Sequence, residues 1–248
     1  MKSSHRLYSP LQITMVKMIR VLLKVGVPLK TICDLKGGRT PEMILKLLNH
    51  QKDVVTSDIR FLQEIYEIIS TFADLIHEGI SADEVDISVT EMPDRHIILG
   101  EPTDFNGDKS FIREFLHFYD GTPEKKINPS FPVGGYWNNM NDFLVCPSRP
   151  MRFFSVDPNG NDKKAAGIYM TGYTRGYYGN TNGLPLRMKE FAKENHLTFN
   201  GPVYNIYLFD EVSETDPERY LLQVSVPVME QNRKSSPHLI PHFSNIHN

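Results

Sequence analysis

The residues of this sequence best suited to chemistry are aromatic rather than acid–base. Tyr136, Trp137, Phe153, Phe154, Tyr169, Tyr173, Tyr177, Tyr178, Tyr204, Tyr207 and Phe209 all fall in or beside stretches with strand-like texture. Ring faces hold flat lipophilic molecules by apolar burial, and organic cations through the ring quadrupole. Period-two alternation places Val203, Asn205, Tyr207 and Phe209 on one face of a strand. Tyr204, Ile206 and Leu208 then take the other face. One of these faces packs on helices, and the other presents aromatics with Asn205 among them. For any one of these rings, a place in an ordinary sheet core is an equally good explanation.

Catalytic and metal-binding patterns are sparse. The sequence has no GxSxG, P-loop or HExxH motif, and no GxGxxG in a strand-to-helix setting. His238, His242 and His247 stand in a polar stretch, 231–248, that reads as a tail rather than a metal site. Cys33 and Cys146 are too few for a disulfide framework or a cysteine-based zinc site. Only Arg149 stands near Cys146 as an activating charge, so that thiol reads as structural. The expectation is no catalytic residue, no metal and no cofactor.

Several elements must position the aromatic set. The chain has 248 residues, 40% hydrophobic and 23% charged, enough apolar content to bury a core. No run approaches the ~20 apolar residues that span a bilayer, and the first ten residues lack a secretory h-region. A cytoplasmic protein without a membrane partner is expected. Charge is unevenly spread: residues 1–50 hold nine Lys/Arg against two Asp/Glu, and residues 51–248 hold 18 against 28. Such asymmetry points to one segment facing a polyanion.

Residues 11–25 have the spacing of an amphipathic helix, with Lys17, Arg20 and Lys24 between its apolar positions and Gly26 closing it. A second short helix is expected from Pro28 at N1, through Leu29, Ile32 and Leu35. Thr40 and Pro41 open a third, expected to bend or break near Asn49. Beyond it, apolar residues at 55, 62, 65, 69, 72 and 76 step mainly by three and four, a coiled-coil seam that Gly79 would end. After residue 80, strands are expected near 85–91, 95–101, 133–138, 151–156, 166–174, 203–210 and 219–228. Helices are expected at 109–120, with Ile112, Phe115, Leu116 and Tyr119 on one stripe, and at 184–196. The order is strand-helix-strand-strand twice over. Two such units would form a curved antiparallel sheet with both helices on one face. The opposite face, or the groove between the halves, would hold a ligand.

With these elements in place, the chain resembles a MerR-family transcription regulator of the multidrug-efflux activator type. HRLYSPLQITMVKMIRVLLKVGVPLKTICDL, residues 5–35, resembles the family's wing ending in R-x-Y, then a helix, then G-x-x-L-x-x-I. Arg6, Tyr8, Ile19, Gly26, Leu29 and Ile32 occupy those positions. The long helix matches the family's dimerisation helix. Residues 84–228 resemble a GyrI-like effector-binding domain, most clearly at GYTRGYYGNTNGLPLRMKEFAKENHLTFNGPVYNIYLFDEV and RYLLQVSVPV.

The resemblance implies an α+β protein in four parts. Residues 1–50 are the remnant of a winged-helix DNA-binding domain and 51–80 the coiled-coil helix of a homodimer. Residues 82–230 are a GyrI-like domain of two β-α-β-β repeats, and 231–248 the polar tail. It implies phosphate contacts from Arg6, Tyr8, Lys17 and Arg20, which position a protein on DNA without reading bases. The family's helix-turn-helix has no counterpart here. Promoter DNA is therefore an expected partner only of a form that carries it, and this chain alone should bind operator weakly.

The implied ligand pocket comprises Tyr136, Trp137, Phe153, Tyr169, Tyr173, Asn205, Tyr207 and Tyr220. Asn205 falls where cation-binding relatives place a buried Glu, so a neutral or weakly polar aromatic ligand is expected. The implied function is a ligand-responsive regulator that reaches RNA polymerase indirectly through the promoter. Two alternatives stand beside it. One is a protein that sequesters a small molecule without binding DNA. The other is a GyrI-like hydrolase using Trp137 with Glu91 or Glu101, for which no convincing acid–base pair is evident.

Overall fold

A computed structural model of the protein describes residues 9–35, 38–105, 110–121, 127–160 and 162–230. Arg6, Tyr8 and the expected tail therefore lie outside the described residues. The chain divides into two compact units, residues 1–66 and 67–248.

In the first unit, α1 (Pro10–Lys24) starts at a capping box. Ser9 Oγ accepts the Gln12 N–H at 3.3 Å, and Gln12 Oε1 accepts the Ser9 N–H at 2.8 Å. Gly26 follows in the left-handed conformation, φ +87°. Pro28 is the N-cap of α2 (Leu29–Asp34), one position earlier than expected. Leu22, Val27, Ile32 and Leu35 form a small core, closed by Met18, Ile19, Ile44 and Leu47. Lys17 and Arg20 stand exposed on α1.

Thr40 caps α3, its Oγ1 accepting from the Met43 N–H at 3.3 Å. This helix runs unbroken from Pro41 to Ser81, so the expected break near Asn49 does not occur. Asn has only a weak helix penalty, and nothing beside it breaks the ladder. Gly79 does not end the helix either. It is buried inside it, and a Cβ there would lie 2.6 Å from Phe209 Cε1 and 3.1 Å from Leu208 Cβ. This glycine permits a close helix–strand approach rather than a turn.

The second unit is built on an antiparallel sheet. Its strands are β1 (Ser88–Met92), β2 (Arg95–Leu99), β3 (Val133–Trp137), β4 (Arg152–Ser155), β5 (Asp162–Lys164), β6 (Gly167–Arg175), β7 (Leu197–Phe199), β8 (Val203–Phe209) and β9 (Leu221–Glu230). They lie in the order β1-β6-β9-β8-β3-β4-β2-β5, with β7 also on β9. The helices are α4 (Ser110–Asp120), α5 (Met140–Val145) and α6 (Leu184–Glu194).

The spatial order carries the duplication. The first unit, β2-α4-β3-β4, arranges its strands as β2-β4-β3. The second, β6-α6-β8-β9, arranges them as β6-β9-β8, and β3 pairs β8 at the join. The first expected strand begins late because Asp83 Oδ1 draws the Val85 and Asp86 N–H groups into a turn, at 2.9 and 3.3 Å. β5 and β7, three residues each, and α5 were not expected.

The sheet uses both faces. On one, Trp137, Met170, Val203, Leu222, Val224 and Val226 pack against α5 and α6 through Met140, Phe143, Leu184 and Met188. Phe153, on the same face, takes α4. On the other face, Ile97, Phe154, Tyr169, Tyr204, Ile206 and Leu208 pack with Leu75 near the end of α3. α3 thus covers part of that opposite face. The groove between the halves remains.

Candidate ligand groove

A cavity of about 400 Å³ lies on the helix-bearing face of the sheet, where β3 and β8 join the two repeats. Gly135 creates its depth. A Cβ at that position would lie 2.7 Å from Asn205 Oδ1, 2.9 Å from Pro150 Cβ and 3.0 Å from the Trp137 ring. Beside it, Asn205 Oδ1 accepts the Gly135 N–H at 2.7 Å. Trp137 is 1% exposed, its Nε1 donating to the Cys146 carbonyl at 3.0 Å and its ring meeting Phe143 edge-on. The indole is therefore a fixed floor rather than a mobile flap.

One wall is α4. Phe111 and Phe115 meet the Phe153 ring at 5.7 and 5.4 Å between centroids, both in edge-on contact. The inward stripe of this helix is therefore Phe111, Phe115 and Phe118. Ile112 and Leu116, expected to face inward, are 66% and 57% exposed. The Phe153 ring decides the rotation of the helix, since three rings pack against it, two edge-on and one tilted.

The other wall is tyrosine. Tyr178 meets Tyr207 at 4.7 Å and Tyr220 at 5.6 Å. Tyr207 Oη accepts the Gly179 N–H at 3.0 Å and donates to the Tyr177 carbonyl at 3.3 Å, tying the loop after β6 to β8. Burial pushes the Tyr207 phenol up to about 12. Burial also raises Tyr178, whose hydroxyl donates to the Glu211 carboxylate.

Asp210 and Glu211 complete the lining, just beyond the end of β8. Burial raises the Asp210 carboxyl. Across the groove, the Tyr119 phenol is raised by burial and then by the charge of Glu211. The groove thus has aromatic walls, a neutral amide on its floor and two carboxylates near one end. Among the described residues no three His, Cys, Asp or Glu side chains converge to hold a metal.

Of the expected pocket, Trp137, Phe153, Asn205 and Tyr207 come together here. Tyr220 stands behind Tyr178, one ring removed from the cavity. Tyr136, Tyr169 and Tyr173 do not reach it. Tyr136 neighbours Trp137 in β3 and so points to the other face, where it meets Tyr204 at 5.5 Å. Tyr169 lies on that face under Lys164, Nζ to ring 4.7 Å, and the Tyr173 hydroxyl lies 3.5 Å from Gln223 Nε2. Glu91 sits exposed on β1, and Glu101 follows β2; neither lines the groove. Among the groove residues that sequence reasoning missed are Phe111, Phe115, Tyr119, Tyr178, Asp210 and Glu211. The acidic pair directly after the strand that holds Asn205 was the available signal.

The chain matches no protein-family profile. It is 23% identical over 232 residues to the multidrug-efflux transporter 2 regulator of Bacillus subtilis (strain 168), covering 90% of this chain and 84% of that one. Among solved structures, it is similar to EcmrR in a cryo-EM EcmrR–DNA complex, at 13% identity and a TM-score of 0.43, covering 93% and 88% of the two chains. It is also similar to a hydrolase from Listeria innocua, at 12% identity and a TM-score of 0.37, covering 62% and 96%.

Proposed function

We propose that this chain is a ligand-responsive transcription regulator that binds a lipophilic aromatic molecule in the groove and acts as a homodimer through the 51–80 segment. The observation that carries the ligand half is the cavity itself: about 400 Å³, walled by Phe111, Phe115, Tyr178 and Tyr207. That size and lining suit a drug-sized apolar molecule. The regulatory half draws on the likeness to the Bacillus regulator and on the exposed basic side chains of α1. Promoter DNA would be the partner through which RNA polymerase responds. Binding rather than catalysis fits the groove, because the Trp137 N–H is committed to a carbonyl and Glu91 and Glu101 lie outside the lining.

Asn205 alone argues for a neutral ligand. Asp210 and Glu211 restore a negative end to the same groove, so aromatic cations are admitted beside neutral molecules. Calorimetric titration with tetraphenylphosphonium and with a neutral polycyclic arene tests the sensing half, with quenching of Trp137 as a second readout. Micromolar binding of either supports it. Binding of neither, with the fold intact, refutes it.

A further inference from the structure

The floor of the groove is polar at one identifiable atom. Asn205 Oδ1 accepts the Gly135 N–H at 2.7 Å. A backbone N–H is a donor, so the carboxamide can meet it only through its oxygen. That contact sets the flip of the amide and turns its NH2 away from β3's backbone. Among the described residues, Asn205 Nδ2 has no hydrogen-bond partner, although the residue lines the cavity. The floor around it is apolar: the side-chain-free Gly135 and the Trp137 and Phe153 rings. A ligand that displaces water from this floor strands the donor unless it supplies an acceptor.

We infer that the groove selects planar aromatic molecules bearing a hydrogen-bond acceptor on the edge that meets Asn205, such as aryl ketones, lactams or azines. The inference rests on the reading of the groove as a small-molecule site. It makes Asn205 a specificity-determining residue with a polarity that a carboxylate would invert. The acceptor edge lies at the floor, and Asp210 stands up to roughly 16 Å farther along the chain, five residues at strand rise. The acceptor edge and any cationic end are therefore read separately.

Fluorenone and fluorene form a matched planar pair that differs in one carbonyl and carries no charge. Isothermal titration of each into the wild-type protein is expected to favour fluorenone by roughly three- to tenfold, the yield of one net hydrogen bond. In Asn205→Asp the carboxylate still accepts the Gly135 N–H but offers no donor, and the preference is expected to fall to unity or reverse. Asn205→Leu is expected to remove it as well, and circular dichroism checks that both variants fold. Equal affinity of the wild type for the two probes overturns the inference and leaves the groove a small-molecule site. A preference that persists in both variants also overturns it, because another atom then reads the carbonyl. If neither probe binds the wild type and the arenes above also fail, the sensing reading falls, and this inference with it.

Discussion

Gly135→Ala tests the floor of the groove directly. Gly135 lies in β3 between Phe153 on β4 and Asn205 on β8. It has no positive φ, so alanine is conformationally acceptable and should gain about 0.4–1 kcal/mol by restricting the unfolded chain. Against this stands the added methyl. It would lie 2.7 Å from Asn205 Oδ1, 2.9 Å from Pro150 Cβ and 3.0 Å from the Trp137 ring.

None of these three neighbours is a flexible tip. The Asn205 oxygen is held by the Gly135 N–H, Pro150 is a ring, and the indole is pinned at Cys146. Overpacking costs about 1–3 kcal/mol, and this site belongs in the upper half of that range. The clash wins by about 1–2.5 kcal/mol, which lowers the midpoint by roughly 3–8 °C for a unit of this size. Trp137 is the sole tryptophan, so a thermal melt followed by its fluorescence reports this unit. Gly167→Ala is the control, since its Cβ would meet only the Tyr169 ring, at 3.8 Å. If Gly135→Ala melts no lower than Gly167→Ala, the floor is not packed as described and the reasoning fails.

Burial pulls the Lys164 amine down to about 8 from 10.5, so the folded state sheds its proton first and stability rises with pH between those values. Lys164→Met should flatten that rise in urea midpoints measured across the window; an unchanged slope refutes it. Burial raises the Asp210 carboxyl, so the folded state holds this proton longer and stability falls as pH climbs through the raised value. Asp210→Asn keeps an acceptor for the Val212 N–H and should be more stable than wild type at neutral pH, but not in acid below the unfolded value. The opposite order would show that the carboxylate is stabilised where it sits. Leu62 and Ile69, 62% and 61% exposed on α3, belong to the proposed dimer seam. Leu62→Glu with Ile69→Glu should halve the mass by light scattering, and a wild type already monomeric at high concentration would end the dimer proposal.

Much of this arrangement was legible where a single physical rule governs it. Capping residues and periodicity placed α1, α4, α6 and the long strands, and element order anticipated the paired repeats that the sheet joins at β3 and β8. Parity on β8 separated Asn205 and Tyr207 from Tyr204, Ile206 and Leu208, as the two clusters show. Parity cannot say which face of one strand continues which face of another, since register is a long-range property. The resemblance put Tyr169 and Tyr173 in the expected pocket, and parity alone could not exclude them, although they lie beneath Lys164 and beside Gln223. Tyr136 was separable, because its neighbour Trp137 must point the other way. The rotation of α4 was not separable. Its two candidate stripes are both apolar, and only the distant Phe153 chooses between them.

The two faces of β8 explain why one short strand matters to both halves of the proposed function. Asn205 and Tyr207 line the groove, and Ile206 and Leu208 lie in the cluster that contains Leu75 of α3. At Gly79 no side chain intervenes, so there α3 rests directly on Leu208 and Phe209. Close-packed interiors transmit displacements rather than absorb them. A ligand that shifts β8 by pressing on Asn205 therefore presses, through the same backbone, on the end of the helix proposed to pair two copies. Such pressure becomes a signal only if the ligand favours one position of the strand over another. The Gly135 N–H held by Asn205, which ties β8 to β3, is the contact a ligand at the floor would strengthen or compete with.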